Sequence, residues 1–207
     1  MSATLYGTTT SPYVNKVRIT MQILGLWDAC RSIGVDLNTP SPAFCAATPL
    51  RQIPVLVEAD AGAITDSTII CLHLDRRAGG GQLLPKAEAA RTRRLALAAV
   101  CNGLIDAGAG LRREMLRPAP YRSATVAAHH LARLERGMDH LADQIDALGP
   151  DPDLATITLV AALEWIELRH ASHGLTQARP ALAGWLEAVQ HSWVPALPAG
   201  AFATAQD

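Results

Sequence analysis

The residues best placed for chemistry lie in a hydroxyl-rich turn near the start of the chain, where Ser11 and Pro12 follow three threonines. Apolar residues then recur at helical spacing, at Val14, Val17, Met21 and Leu24. Serine favours the N-cap and proline the first helical position, so a helix is predicted to begin here with free backbone N–H groups at its end. Such an end attracts anions, and a serine hydroxyl there can donate one hydrogen bond while it accepts another. The same pair also suits ordinary helix capping, so Ser11 alone leaves both interpretations open.

Short strands and helices alternate around this turn in the first 78 residues. Strands are predicted over residues 3–7, 31–37, 53–58 and 63–65. Helices are predicted over residues 12–24 and from Asp66 and Ser67 onward, with a turn or two of helix at 43–47. In the first helix, Asn15, Lys16 and Thr20 fall outside the inward apolar stripe. The order is βαβ, then ββα.

The pattern changes after residues 78–85, whose glycines and proline have the composition of a linker. Helices are predicted beyond it, over residues 87–116, 121–148, 154–169 and 180–191. The third of these is apolar nearly all round, which predicts a buried position at the centre of an all-helical domain. Prolines and a glycine after Val194 predict a loosely structured tail.

Composition narrows the classes of function. The chain has 207 residues and a formal net charge of −1, which implies neither a nucleic acid partner nor any other polyanion. The cysteines, at positions 30, 45, 71 and 101, lack metal-site spacing, and His129 and His130, on a long predicted helix, lack acidic or cysteine partners at i+3 or i+4. We therefore expect no metal and reduced thiols. The absence of a signal pattern or a long apolar run predicts a cytoplasmic protein without a membrane segment.

Four motifs in this order resemble the cytosolic glutathione S-transferases of the bacterial, serine type, over almost the whole chain. They are residues 10–18, 48–56, 64–67 and 153–157. The resemblance implies an α/β thioredoxin-like domain (1–78) followed by an all-helical domain (86–207). Ser11–Val14 also looks like the Cys-Pro-Tyr-Cys motif of glutaredoxins with both thiols replaced, which makes redox exchange through a protein thiol unexpected. Ser11 stands where serine-type transferases keep their catalytic hydroxyl, although Thr9 and Thr10 are close enough to take its place.

The other motifs make physical sense as a glutathione site. Ile53 and Pro54 match the family's cis-proline turn, which leaves the main chain of Ile53 facing an extended peptide ligand. Asp66 and Ser67 offer a carboxylate to the ammonium of the γ-glutamyl group, and a hydroxyl with free N–H groups to its carboxylate. They would serve equally well as a plain capping pair. Gln52 could reach the ligand backbone.

Several positions depart from the family pattern or are weaker candidates. Arg51 stands where relatives commonly have glycine, which puts the loop geometry in question. Asp153 and Thr156 exchange the residue types of the usual capping box, and the helix start is expected to survive. In this family one long helix lines the acceptor pocket. Three residues on the corresponding helix could shape that pocket or could be ordinary polar positions: Asn102, Asp106 and Arg113.

The resemblance implies glutathione as co-substrate, a small hydrophobic electrophile as substrate, a role in detoxification, and a homodimer. In the family, the first domain of one subunit contacts the long helices of the other, a contact for which the basic segment 91–99 is suited. Two alternatives stay open. One is a non-catalytic interaction module like stringent starvation protein A, which binds RNA polymerase. The other is a glutathione-dependent isomerase or dehalogenase.

Overall fold

The computed structural model describes residues 3–203, which form two compact units. The first unit contains the chain up to Leu83 together with the segment from Pro195 onward, and the second contains Leu84–Val194. The sequence-based division assigned residues 86–207 to the helical domain. The return of the chain to the first unit is therefore a difference between the prediction and the structure.

The first unit is built on a four-stranded sheet. Its strands are β1 (Ala3–Gly7), β2 (Cys30–Gly34), β3 (Val55–Glu58) and β4 (Gly62–Ile64), in the order β2-β1-β3-β4. Strand β1 pairs parallel with β2 and antiparallel with β3, and β3 pairs antiparallel with β4. The helices are α1 (Pro12–Ile23), α2 (Pro42–Ala47) and α3 (Ser67–Arg77). This is the thioredoxin-like arrangement that the resemblance implies.

The two faces of this sheet bury different side chains because residues of a strand alternate in direction. On one face, Tyr6 packs against the ring of Phe44 from α2, with 5.7 Å between ring centroids. On the other face, Leu5 is fully buried, and a Cβ on Gly7 would lie only 2.6 Å from a methyl group of Val14 in α1. Helices α1 and α3 also pack against each other.

The glycine-rich segment after α3 is held by one buried carboxylate. Asp75, 4% exposed, accepts hydrogen bonds from the backbone N–H groups of Gly81, Gln82 and Leu83 at 3.0–3.1 Å. The segment has the glycine conformations predicted for a linker, with positive φ at three successive glycines. Its end is nevertheless fastened to the first unit, because Asp75 satisfies three N–H groups that would otherwise need water.

The second unit is all helical. Its helices are α4 (Glu88–Leu116), α5 (Ala124–Asp143), α6 (Ile145–Leu148), α7 (Leu154–His170) and α8 (Pro180–Ser192). Helix α7 packs on α4, which also packs on α5. Twelve of the 17 residues of α7 are buried, so the expected central position of this helix is confirmed. By length and composition α4 could also cross a membrane, a test that the core helices of soluble proteins pass as well.

Helix α7 begins with the exchanged capping box. The Asp153 carboxylate accepts from the N–H groups of Ala155 and Thr156, and the Thr156 hydroxyl accepts from the N–H of Asp153 at 2.8 Å. The predicted survival of this helix start is therefore confirmed. Arg94 of α4 reinforces it, since its Nε lies 2.5 Å from Oδ2 of Asp153.

A buried histidine joins α7 to α4. His170 is 1% exposed, and its Nε2 lies 3.0 Å from the carbonyl oxygen of Gly108. Its Nδ1 is buried without a hydrogen-bond partner among residues 3–203. Burial lowers the pKa of His170, an effect that the Gly108 carbonyl opposes and that His173 and Arg112 reinforce.

We therefore predict that the second unit loses stability in mild acid. A histidine whose folded-state pKa lies below its unfolded value of about 6.5 takes up a proton more readily in the unfolded chain. Stability is thus unaffected above that value and falls as the pH drops below it. Urea unfolding between about pH 7.5 and about pH 5.5 should show a shallower loss in His170→Gln than in wild type. The exposed His140→Gln variant is the control, and an unchanged pH slope in His170→Gln would contradict the assignment.

Candidate functional site

The register of the sheet brings three predicted site segments to one of its ends. Tyr6, near the end of β1, stands opposite Val55, the first residue of β3. Leu56 in turn stands opposite Ile64, the last residue of β4. The turn after β1, the segment before β3 and the connection from β4 into α3 therefore share the same end of the sheet.

Ser11 occupies the N-cap of α1. It has extended φ and ψ angles of −87° and 124°, and its Oγ accepts a hydrogen bond from the backbone N–H of Val14 at 3.4 Å. Among the described residues the Ser11 hydroxyl is an acceptor only, so its proton is left for a further partner. Thr9 and Thr10 precede it in the turn with exposed side chains. Ser11 is thus the hydroxyl that α1 holds at its positive end.

The segment before β3 has the predicted proline geometry, because the Ile53–Pro54 peptide bond is cis. The Ile53 side chain packs against the cluster of Val35, Phe44 and Val55. Its main chain lies outside the sheet ladder, whose first β3 residue is Val55. The side chain is therefore anchored, and the main chain stands at the end of the sheet. Gln52, beside it, is exposed.

The backbone of Arg51 answers the question of loop geometry that the absence of glycine at this position raised. Its φ is 49°, in the left-handed region that glycine occupies most easily. The loop therefore keeps the backbone conformation suited to a glycine while it carries an arginine. Left-handed conformations of a residue with a Cβ cost roughly 1 kcal/mol.

Asp66 is the N-cap of α3. Its Oδ1 accepts from the backbone N–H groups of Thr68 and Ile69 at 2.8 and 3.2 Å, while the residue as a whole is exposed. Ser67, the first residue of the helix, is 4% exposed. The capping prediction is confirmed, and within residues 3–203 both of these hydrogen bonds go to the same carboxylate oxygen.

Lys16 is a buried residue beside the candidate site whose position sequence reasoning missed. It was placed outside the inward stripe of α1, but it is 0% exposed, as is Thr20. Its Nζ donates a hydrogen bond to Oγ1 of Thr68 at 3.0 Å, so it joins α1 to the first turn of α3. A four-carbon stem can bury its methylenes while the ammonium finds an acceptor, which is why the apolar periodicity of α1 gave no signal. The contact brings a positive charge to the N-terminus of α3.

Two of the protein thiols, those of Cys71 and Cys30, have the raised pKa values of unreactive cysteines. Burial raises the pKa of the Cys71 thiol, although Lys16 opposes the effect, and Thr20 donates to its Sγ at 3.3 Å. Burial also raises the pKa of Cys30 to about 11. All four cysteines are free. Thiols with raised pKa values are poor nucleophiles at neutral pH.

The candidate acceptor residues all lie on α4, in the second unit. Asn102 is half-buried, whereas Asp106 and Arg113 are exposed. Asp106 follows Asn102 by one turn, and Arg113 follows Asp106 by two. Their role at an acceptor pocket stays a prediction. No group of three metal-ligating side chains occurs within residues 3–203.

The comparisons with known proteins agree with the fold. The profile of the glutathione S-transferase N-terminal domain matches residues 5–82, and that of the glutathione S-transferase C-terminal domain matches residues 96–188. The two profiles together cover most of the chain. This chain belongs to the glutathione S-transferase family.

Its relatives include proteins solved with glutathione. A glutathione transferase family member from Pseudomonas fluorescens Pf-5, with bound glutathione, is 28% identical with a TM-score of 0.83. The match covers 94% of this chain and 100% of the Pseudomonas chain. A glutathione S-transferase from Methylobacillus flagellatus KT, also with glutathione bound, is 27% identical with a TM-score of 0.83, covering 90% and 93% respectively. The uncharacterized GST-like protein YibF of Escherichia coli K12 is 27% identical over 187 residues, or 88% of this chain and 91% of YibF.

The capping role of Asp66 can be measured by substitution. Asp66→Ala removes the acceptor of two backbone N–H groups, so the free energy of unfolding should fall by about 1 kcal/mol. Asp66→Asn keeps a side-chain oxygen and should stay within a few tenths of wild type. Asp60→Ala, at an exposed aspartate before β4, is the control in urea titrations. Equal stability of Asp66→Ala and wild type would contradict the capping assignment.

Proposed function

We propose that this protein is a serine-type glutathione transferase, in which Ser11 activates the glutathione thiol as a thiolate for attack on a small hydrophobic electrophile. The observation that carries the proposal is the Ser11 hydroxyl, which accepts from the Val14 N–H at the N-terminus of α1 and keeps its proton for another acceptor. Two relatives solved with glutathione support glutathione as the ligand.

The site end of the first unit suits the groups of glutathione. The main chain of Ile53, beside the cis peptide bond, would pair with the extended ligand backbone, and Gln52 would add a side-chain contact. Ser67 and the N-terminus of α3 would bind the γ-glutamyl carboxylate, which Lys16 behind Thr68 would also attract. The second oxygen of Asp66 would accept from the ligand ammonium.

Catalysis requires the site to stabilise the glutathione sulfur in its negatively charged thiolate form. A thiol with a pKa near 8.5 is only a few per cent ionised at neutral pH, and the thiolate is the nucleophile. A hydrogen bond from Ser11 and the positive end of α1 both favour the charged form. A downward shift of one to two units corresponds to roughly 1.4 to 2.7 kcal/mol of differential stabilisation. Ser11 can supply its share as a donor without taking the proton.

Ser11→Ala should therefore lower turnover by about tenfold or more and raise the pKa of the bound thiol, with little change in glutathione affinity. Calorimetry, steady-state rates against an electrophile panel and ultraviolet titration of the bound thiol measure these three quantities. Ser11→Thr keeps a hydroxyl and should retain most activity. Thr10→Ala and Thr9→Ala are the neighbouring controls. A loss of activity in either control, with Ser11→Ala unchanged, would return Ser11 to a capping role.

The same assays separate the alternative functions. An interaction module like stringent starvation protein A would bind no glutathione or show no turnover with any electrophile. Turnover that is lost on addition of a competing glutathione analogue indicates an enzyme. Isomerisation or dehalogenation would still need an ionised glutathione thiol, so the electrophile panel distinguishes these reactions by their products. No binding of glutathione at millimolar concentration would overturn the proposal as a whole.

We also propose a homodimer in which the basic segment 91–99 of α4 contributes to the contact. Arg94 in this segment is engaged within the second unit by Asp153, while Arg93 is exposed. Light scattering should therefore give twice the chain mass for wild type and a lower mass for Arg93→Glu at the same concentration. Arg136→Glu, at an exposed position on α5, is the matched charge reversal and should leave the mass unchanged. A wild-type monomer at all concentrations would contradict the proposal.

A further inference from the structure

The segment of residues 195–203, which we call the C-terminal strap, is fastened at its start to α1. Nη1 of Arg18 donates to the carbonyl oxygens of Pro195 and Ala196 at 2.9 and 3.2 Å, and Nε2 of Gln22 donates to that of Ala196 at 3.2 Å. Arg18 is 4% exposed. A buried guanidinium that reaches two carbonyls holds the strap firmly, because releasing it would leave a buried charge without these acceptors.

The far end of the strap is fastened to β2. The N–H of Gly34 donates to the carbonyl oxygen of Ala203 at 3.0 Å, and the N–H of Phe202 donates to Oγ of Ser32 at 3.2 Å. The approach at Gly34 is so close that a Cβ there would lie 2.3 Å from the carbonyl oxygen of Phe202. This edge strand therefore accepts the strap only because position 34 has no side chain.

Between its two fastenings the strap places one aromatic ring against the turn that carries Ser11. Phe202 is 7% exposed and meets Trp27 edge to face, with 5.9 Å between ring centroids. Its ring and the Val14 methyl groups all lie within 3 Å of the point where a Cβ on Gly7 would stand. Gly7 ends β1, and Val14 donates the N–H that holds Ser11 Oγ. Phe202 thus packs between Gly7, which precedes the turn, and Val14, which follows it.

The backbone of Phe202 indicates that this placement is imposed by its surroundings. Its φ is 57°, a left-handed conformation that is rare for a bulky aromatic residue. Such a conformation persists only where surrounding contacts determine it, and such residues cluster near functional sites. Here the contacts are the hydrogen bond from the Phe202 N–H to Ser32 Oγ, the hydrogen bond from the Gly34 N–H to the carbonyl of the next residue, Ala203, and the burial of the ring.

We propose that Phe202 is a positioning residue for Ser11, a role that rests on the proposed function. The ring holds Gly7 and Val14 in register across the turn and so keeps the Val14 N–H on Ser11 Oγ. The Ser11 proton is then directed toward the glutathione sulfur. Phe202 itself touches neither glutathione nor the electrophile in this scheme.

Phe202→Ala in the full chain should lower kcat by about tenfold, because a small displacement of the hydroxyl weakens its hydrogen bond to the thiolate. The KM for glutathione should change less than about twofold, since Ile53, Asp66 and Ser67 lie on other segments. The pKa of the bound thiol should rise toward its free value. Phe202→Leu, which restores most of the apolar volume, should recover much of both effects.

Leu197→Ala is the matched control, because Leu197 lies in the same strap and is 49% exposed. It should leave kcat, the thiol pKa and the exchange of backbone amides at wild-type values. Hydrogen exchange of residues 8–14 should be faster in Phe202→Ala than in Leu197→Ala. Should Phe202→Ala not fold, Ser32→Ala removes the acceptor of the Phe202 N–H and carries the same measurements.

The outcomes separate this inference from the proposed function. Wild-type values of kcat, thiol pKa and amide exchange in Phe202→Ala would overturn the positioning role, whereas the proposed function would stand on Ser11→Ala. A wild-type protein that binds glutathione without lowering its thiol pKa would overturn the proposed function. In that case the hydrogen exchange of residues 8–14 alone would test whether Phe202 positions the turn. Unchanged exchange in Phe202→Ala would overturn that role.

Discussion

The pairing of β1 on both of its edges is the constraint on which the first unit depends. Because β1 runs antiparallel to β3, and β3 to β4, the turn after β1, the cis-proline segment and the start of α3 must share one end of the sheet. A slip of one residue would turn Leu5 to the face of Phe44 and separate these segments from their partners. The site is thus a consequence of strand register, and the helices only supply its groups.

Helix α1 connects that end of the sheet to α3 and to the C-terminal strap through polar side chains buried along its length. Lys16 reaches α3, Thr20 reaches Cys71, and Arg18 reaches the C-terminal strap. Burial of such groups is costly unless each is hydrogen-bonded, so α1 has little freedom to move without breaking several contacts. Since Ser11 is its N-cap, the same contacts limit the position of the hydroxyl.

Local signals in the sequence were enough for most elements and for the cap positions. Ser11, Asp66 and Asp153 each cap the helix they were predicted to cap, because a cap depends only on a few neighbouring residues. The contacts made by Lys16 and by the strap could not be found this way. Lys16 meets Thr68 across 52 positions of sequence, and a buried lysine has the same residue type as an exposed one. Proline and glycine in the strap predict the absence of helix, but they do not predict its hydrogen bonds to α1 and β2.

Irregular structure and firm attachment are therefore compatible in the strap. No ladder or helix satisfies its backbone. Turns within the strap supply two hydrogen bonds, from the Ala201 and Ala203 N–H groups to the carbonyl oxygens of Pro198 and Gly200, and its attachment to the rest of the unit comes from side chains and a strand edge, including Arg18, Ser32 and Gly34. These three residues lie on α1 and β2, which flank the strand that leads into the Ser11 turn. Residues 195–203 thus contact the first strand and the helix that it leads into, and these two elements carry the Ser11 turn between them.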